Sequence, residues 1–422
     1  MSKLNDEHYL RAVTELGDTR KIVAHQDIYS QSGMKLVASG IHVTSDLYER
    51  LVRHKMLPPL DMALSVENML DAESLLDDVH GLLRANEKLK MMADVIDKGL
   101  TCREIIDAIH PPAPLAFKLT VAREKYPRVY QHSLSLMIIS IYLARCDKMS
   151  SQDQQWVAAA ALFHDIGLLH IDPKLLEPSH VMSADERRHL YAHPLTAYLL
   201  LCEFPELSRH IADAVLEHHE RMDGSGYPRG LHGDKISRHG QILAVAELVA
   251  KAFEQEHTAG QWKKLEMMLK LNSRRYGKGL IGHLNIFRDD FDADVPPGFN
   301  SQEHLVAQVR LVAKLFENFN QHSAPAQRDK IFDFTQTRLA MLRLELFDAG
   351  FDPRDPEGLI QLFTDDPDST AEYAPLLEET LWRFKSLVQE ISRLWPEEIG
   401  KGDQPECAWL SEMGLLLPAV GQ

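Results

Sequence analysis

The chain has little of what would tie it to an oxidising compartment, a membrane or a polyanion. Its four cysteines, Cys102, Cys146, Cys202 and Cys407, form no Cys-x-x-Cys pair and lie too far apart to suggest a disulfide framework or a cysteine zinc site. They read as buried structural thiols in a reducing compartment, so a cytoplasmic protein is expected. No run approaches the length of apolar chain needed to cross a bilayer, so no membrane span is predicted. The opening residues, Met1-Ser2-Lys3-Leu4-Asn5-Asp6-Glu7, lack the apolar stretch of a signal peptide. Basic residues are outnumbered, with 46 Lys and Arg against 62 Asp and Glu, for a formal net charge of −16. That balance argues against a nucleic-acid polymer as partner, because phosphate neutralisation needs clustered cations. It also repels any anionic ligand at long range, so such a ligand would need metal ions and a few placed basic residues. There is no glycine loop to cradle a phosphate and no internal repeat.

What is present is helix-forming sequence, and histidine. A chain of 422 residues predicts two or three domains. Residues 20–60 have β texture. Lys21-Ile22-Val23-Ala24 and Lys35-Leu36-Val37-Ala38 are short strand-like runs with a hairpin turn at Ser30-Gln31-Ser32-Gly33, and Ser39 to Val43 would add another strand. Thr44-Ser45-Asp46 should cap a helix from Leu47 to His54 that Pro58-Pro59 stops. From Leu60 to Gly99 the pattern turns helical, with Met62, Val66, Met69 and Leu70 at helical spacing. Pro111-Pro112-Ala113-Pro114 reads as a linker. Helical texture then runs from Leu115 to about Phe287, a loop or boundary falls at 285–300, and helices resume over Leu305 to Phe319, Lys330 to Phe347 and Leu376 to Trp395. The expected fold is therefore mainly α. A small β-rich domain spans 1–60, a helical connector 61–113, an all-helical domain 114–290 and a helical C-terminal region 291–422.

Histidines number 21, so a single one carries little information. An ordered set carries more. His132 lies on an apolar helix, His164-Asp165 closes another, His193 precedes Pro194 at a helix start, His218-His219 follows an apolar helix, and Glu247 sits within Ile242-Leu243-Ala244-Val245-Ala246-Glu247. Each should project from a buried helix, where polar groups need partners and a metal satisfies several at once. Five histidines with two carboxylates suit two closely spaced divalent ions, iron or manganese, and Asp165 can bridge because it has two oxygens. Such a pair activates water and clamps an in-line phosphoryl displacement.

His164-Asp165-Ile166-Gly167, His193-Pro194 and His218-His219-Glu220-Arg221-Met222-Asp223-Gly224-Ser225-Gly226-Tyr227-Pro228 together resemble the HD-GYP family, bacterial phosphodiesterases of the HD superfamily that hydrolyse cyclic di-GMP. The resemblance covers about residues 115–290. It implies that His132, His164, Asp165 and Glu247 hold one metal, and that Asp165, His193, His218 and His219 hold the other. It also implies that a bridging hydroxide attacks the phosphodiester to give pGpG and perhaps GMP. His164 and Asp165 would then be the catalytic pair. The loop ending in Tyr227-Pro228 would shape the pocket and contact signalling partners.

The chain departs from the family pattern at several places. Glu247 stands where Asp is usual, Leu168 where Lys is usual, Gln241 where Arg is usual, Arg128 where some members carry a third-metal Glu, and Ala197 where Gly is usual. Glu254-Gln255-Glu256-His257-Thr258 replaces an Arg-Pro-Tyr-Arg stretch. The metal set is thus nearly complete while the substrate-gripping set is depleted. Lys174 and Arg238 are the candidates to compensate, with Tyr227 at the pocket wall. Three readings follow: a cyclic di-GMP phosphodiesterase; a catalytically degenerate module that binds nucleotide or protein; and a phosphohydrolase for another cyclic dinucleotide or a nucleotide monoester. The flanking regions carry no catalytic signature and suit packing or homodimer formation.

Overall fold

The computed structural model describes residues 7–96, 100–177, 180, 182–254, 269, 272–284, 302–322, 330–366, 369–401 and 409–413. The chain divides into two compact units. The first is Met1–Gln255 with Arg275–His283, and the second is Glu256–Arg274 with Leu284–Gln422. The fold is mainly helical with small N-terminal antiparallel sheets, as the sequence predicts. Among the described residues no helix is long and apolar enough to cross a membrane.

The first unit opens with helix α1 (Glu7–Gly17), which buries Tyr9, Leu10, Val13 and Leu16 along one face. Sequence reading passed over it. Strands β1 (Ile22–Ala24), β2 (Ile28–Ser30) and β3 (Lys35–Val37) follow. The β2–β3 hairpin turns at Gly33, whose φ of +83° suits a residue without a side chain. The segment expected as a further strand contributes only an isolated bridge, Val23 to His42. The expected helix from Leu47 to His54 is shorter. A turn of 3-10 helix (Ser45–Leu47) leads into α2 (Tyr48–Leu51). Thr44 makes no capping bond through its side chain; Asp18 Oδ1 accepts the Ser45 amide instead, at 3.0 Å. Strand β4 (Met56–Leu57) pairs with β2, and after α3 (Leu60–Ala63) strand β5 (Leu64–Val66) pairs antiparallel with β1. The helical spacing read through Met62 and Val66 therefore fails at 64–66. A strand partner some forty residues upstream overrides the local pattern, burying Leu64 and Val66 on either side of exposed Ser65.

Helices α4 (Ala72–Ala85), α5 (Glu87–Val95) and α6 (Leu100–Asp107) come next. Asp71 and Ser74 form a reciprocal capping box on α4, and Asn86 caps α5 through the amides of Lys88 and Leu89. The proline run is not an extended linker. Pro112 caps α7 (Ala113–Lys125) and Pro114 occupies its first turn, where a missing amide hydrogen costs nothing. Helix α7 is buried from Leu115 through Ala122. Ion pairs tie it to the N-terminal elements: Lys125 to Glu15 at 2.9 Å, Glu124 to Arg20 at 3.0 Å and the buried Lys118 to Asp61 at 2.7 Å.

The core of this unit is a helical bundle. Helix α8 (Pro127–Cys146) is buried from His132 to Ala144. Helix α9 (Ser151–Phe163) buries Val157 through Phe163. After α10 (Ala184–Leu190) comes α11 (His193–Leu201), which packs on α12 (Arg209–Glu217); α12 and α13 (Arg238–Glu254) pack on α9 and each other, and α13 also on α8. The chain leaves this unit after α13 and returns over 275–283, where the Tyr142 hydroxyl donates to the His283 carbonyl at 2.7 Å.

The second unit is helical over Gln302–His322, Lys330–Asp348, Pro356–Asp365 and Ser369–Leu394. The Pro356–Asp365 helix, capped by Asp355, was not foreseen. Its core includes Leu305, Val309, Val312, Phe316, Leu376 and Phe384. Charge is buried there in matched sets. Arg383 is paired with Glu345 and with Glu379 (3.3 Å) and donates to Asn272 Oδ1 at 3.0 Å, while Arg338 meets Glu390 at 3.1 Å. The sequence boundary expected at 285–300 lies outside the described residues, as does part of the break expected at 365–369.

Candidate metal centre

The ends of α9, α11 and α12 and the middles of α8 and α13 converge on one cluster. His164 is the C-terminal cap of α9, His193 the first residue of α11 and His218 the C-terminal cap of α12. Gly167 lets the turn after Asp165 lie against the start of α11. A Cβ there would fall 2.2 Å from the His193 carbonyl oxygen.

Backbone contacts set the protonation of three imidazoles. His164 Nδ1 lies 2.7 Å from the Ala161 carbonyl oxygen, His193 Nδ1 2.6 Å from that of Leu190 and His218 Nδ1 2.6 Å from that of Val215. A carbonyl only accepts, so each Nδ1 carries a hydrogen and each Nε2 is the nitrogen left to serve as a metal ligand. These Nε2 atoms face one another and the carboxylates. His193 Nε2 and His218 Nε2 are 3.2 Å apart, a repulsive approach of two lone pairs unless a cation lies between them. His164 Nε2 is buried with no hydrogen-bond partner, 3.1 Å from Asp165 Oδ2 and 3.8 Å from Glu247 Oε2. Donor atoms of His193, His218 and His219 lie within 4.8 Å of one another, as do those of His132, His164 and Glu247 and those of His164, Asp165 and His218.

Asp165 stands between the two groups. Its Oδ2 faces His164, while its Oδ1 lies 3.3 Å from His193 Nε2 and 4.0 Å from His218 Nε2. All seven residues proposed as ligands from the sequence thus come together, and buried clusters of this composition fit a metal site. Their electrostatics agree with ligation. Burial, reinforced by His164 and His193, pushes His218 down to about 3, and burial with His218 pushes His219 well below the ordinary imidazole range. Both are neutral donors at physiological pH. Burial opposes ionisation of Asp165 and Glu247. His164 and His193 outweigh it at Asp165, and Lys251 and His132 outweigh it at Glu247, so both carboxyls are held well below their usual range.

His132 is the exception in its second contact. Its Nε2 meets Glu247 Oε2 at 2.8 Å, but its Nδ1 meets a side chain, Glu254 Oε1, at 2.5 Å. Burial works against protonation, yet the flanking Glu247 and Glu254 prevail and push His132 up to about 10. A carboxylate behind a ligand histidine fixes its ring and raises its donor strength. In the sequence Glu254 stands only as a departure from the family pattern. Its partner lies 122 residues away, and no local spacing announces it.

The loop after His219 is built by carboxylates. Glu220 accepts the amides of Arg229 (2.7 Å) and Leu231 (2.9 Å). Glu217 accepts the Arg229 guanidinium at 2.5 Å and the Ser237 amide at 2.8 Å. Gly226 permits the fold to close, since a Cβ there would fall 2.4 Å from the Glu220 Cα. Arg275, on the returning segment, pairs with Asp223 at 3.4 Å, donates to Ser225 Oγ at 3.0 Å and accepts the Met222 amide through its carbonyl at 2.8 Å. Tyr227 stacks on Tyr191 with ring centroids 4.5 Å apart and lies tilted against His219 at 4.7 Å, and burial holds its phenol neutral, well above the usual range.

Of the two candidate compensating cations, Arg238 is engaged elsewhere. Arg238 is ion-paired to Asp147 and donates to Gln241 Oε1, nine residues and about 13 Å along α13 from Glu247. Its charge is already neutralised at the far end of the helix. Lys174 is exposed on a short 3-10 turn, Pro173–Leu176. Leu168 is 7% exposed and packs with Ile171 and Leu175.

Comparison with known proteins agrees with this geometry. Residues 119–277 match the family model described as HD domain. A 3'3'-cGAMP-specific phosphodiesterase of Vibrio cholerae is 32% identical over 124 residues, 29% of this chain and 27% of that protein. A cyclic di-GMP phosphodiesterase of Pseudomonas aeruginosa is 30% identical over 139 residues, 33% of each. The matching segment thus spans a third or less of these relatives. Among solved structures, an HDG"Y"P protein from Bdellovibrio bacteriovorus covers 63% of this chain and 95% of its own, at 15% identity and a TM-score of 0.35, a likeness too slight to support inference.

Proposed function

We propose, for a chain whose residues 119–277 are an HD domain distantly homologous to HD-GYP cyclic di-GMP and cGAMP phosphodiesterases, that it is a metal-dependent phosphodiesterase of cyclic dinucleotides. Cyclic di-GMP is the first substrate to test, with pGpG or GMP as product. The observation that supports it most is the two-faced Asp165, with one oxygen toward His164 and the other toward His193 and His218. In this reading His132, His164, Asp165 and Glu247 hold one divalent ion, and Asp165, His193, His218 and His219 hold a second, iron or manganese. Such ions supply Lewis acidity: an acidified water and neutralised charge on a phosphoryl oxygen. The protein's own work is orientation. Backbone carbonyls lock three imidazoles with Nε2 lone pairs inward, and Glu254 locks a fourth. His218 and His219, held neutral, act as ligands rather than acids. Tyr227, held against Tyr191 and His219, is uncharged and carries a hydroxyl that could serve a phosphate or sugar oxygen.

The test is turnover of cyclic di-GMP and 3'3'-cGAMP by protein loaded with iron or manganese under reducing conditions. Formation of a linear dinucleotide is expected. No product at full metal occupancy overturns the assignment. One observation favours a second reading, a binding module without turnover: Leu168 is packed in an apolar cluster and Arg238 is occupied by Asp147, so neither supplies a cation for phosphate. Under that reading nucleotide or partner binding survives Asp165→Ala.

A further inference from the structure

A phosphodiester approaching this chain meets a net charge of −16 and needs a local cation. Most basic side chains near the site have acidic partners away from the ligand set: Arg229 with Glu217, Arg238 with Asp147, Lys118 with Asp61. Lys251 differs. It lies one turn beyond Glu247 on α13, and its ammonium contacts Glu247 Oε1 at 2.6 Å. The other oxygen of the same carboxylate faces His132 and His164. Lys251 is also open, with 60% of its side chain exposed against 10% for Glu247. Its side chain thus touches both solvent and the carboxylate of the ligand cluster. A carboxylate that also serves a metal cannot neutralise it fully.

We infer that Lys251 is the phosphate-contacting cation of the site, filling from α13 a role that neither Leu168 nor Arg238 can fill. This rests on the metal-centre reading of the proposed function. The ammonium would donate to a non-bridging phosphate oxygen while keeping its contact with Glu247, a division that its three hydrogens allow.

The experiment uses the full chain loaded with manganese. Lys251→Met and Lys251→Arg are compared with wild type for metal content, for affinity for inorganic phosphate by calorimetry, and for KM and kcat on cyclic di-GMP. Lys251→Met should keep its metal and weaken phosphate binding about ten- to a hundredfold, the range for losing one hydrogen bond to a charged group. KM should rise in parallel, and Lys251→Arg should recover most of both. Unchanged phosphate affinity in Lys251→Met overturns the inference. So does loss of metal from that variant, which would make Lys251 a support for Glu247 only. Phosphate binding judges Lys251 even where wild type fails to cleave the dinucleotide, an outcome that would overturn the proposed function instead.

Discussion

The second unit and the histidine cluster of the first bury charge in opposite ways. In the second, Arg383 faces Glu345 and Glu379, and Arg338 faces Glu390, so positive and negative groups cancel within the protein. In the first, inward lone pairs of His193 and His218 face each other at 3.2 Å, and those of His164 face two carboxylates. Lys251 and a protonated His132 balance Glu247, but nothing among the described residues answers the inward nitrogens of His164, His193 and His218. A buried polar network that completes itself is read as structure, and one that needs a missing cation is read as a site. The contrast separates function from packing without reference to any motif.

Substitutions in either set should separate the two kinds of buried charge. Asp165→Asn removes the oxygen shared between the two donor groups. Turnover should fall by on the order of a thousandfold or more, with metal content reduced by elemental analysis and the melting temperature of the metal-free protein little changed. Arg383→Met should do the reverse. Leaving Glu345 and Glu379 buried without their partner should destabilise by about 3–5 kcal/mol, read by chemical denaturation, while metal content per folded protein stays at the wild-type level. Glu254→Gln keeps the shape of the contact to His132 but not its charge, and metal affinity should drop by about ten- to a hundredfold. Retained affinity would show that the Glu254 contact does not tune the site.

The smallest effect is one of pH, and its sign follows from the two kinds of histidine. His132 is raised, so the folded metal-free chain holds more protons than the unfolded one between about 6.5 and about 10. Its contribution is complete below the lower value and lost as pH rises to the upper. His218 is lowered, so its contribution is present above about 6.5 and lost as pH falls toward about 3. Metal loading displaces the His132 proton, and apparent affinity should climb by up to about tenfold per pH unit above neutrality, measured by competition with a chelator. A flat profile would contradict the raised value for His132.

How much of this the sequence disclosed depended on the range of the interaction. The helical class was legible because runs such as Leu134 to Ile139 and Val157 to Phe163 are apolar enough to be core helices. The ligand candidates were legible because each histidine sat beside its own helix signal. What local pattern could not show was pairing over distance. Strand β5 needs β1 to exist, and without that partner Leu64–Val66 looks like part of a helix. Glu254 looked like a lost motif until its contact with His132 appeared. The proline run looked like a linker because prolines break extended helices and begin new ones with the same residue. Arg238 and Lys251 carry the same charge on one helix, and only their partners, Asp147 and Glu247, tell them apart.

The return of the chain over 275–283 bears on how the protein can be dissected. Arg275 braces Asp223 and Ser225, and its carbonyl holds the Met222 amide. A gene shortened to end after α13 would encode every histidine of the cluster and still lack the strut beneath its loop. The unit that carries the cluster is therefore discontinuous in sequence: residues up to 255 belong with 275–283, and a fragment that keeps the loop braced must carry both.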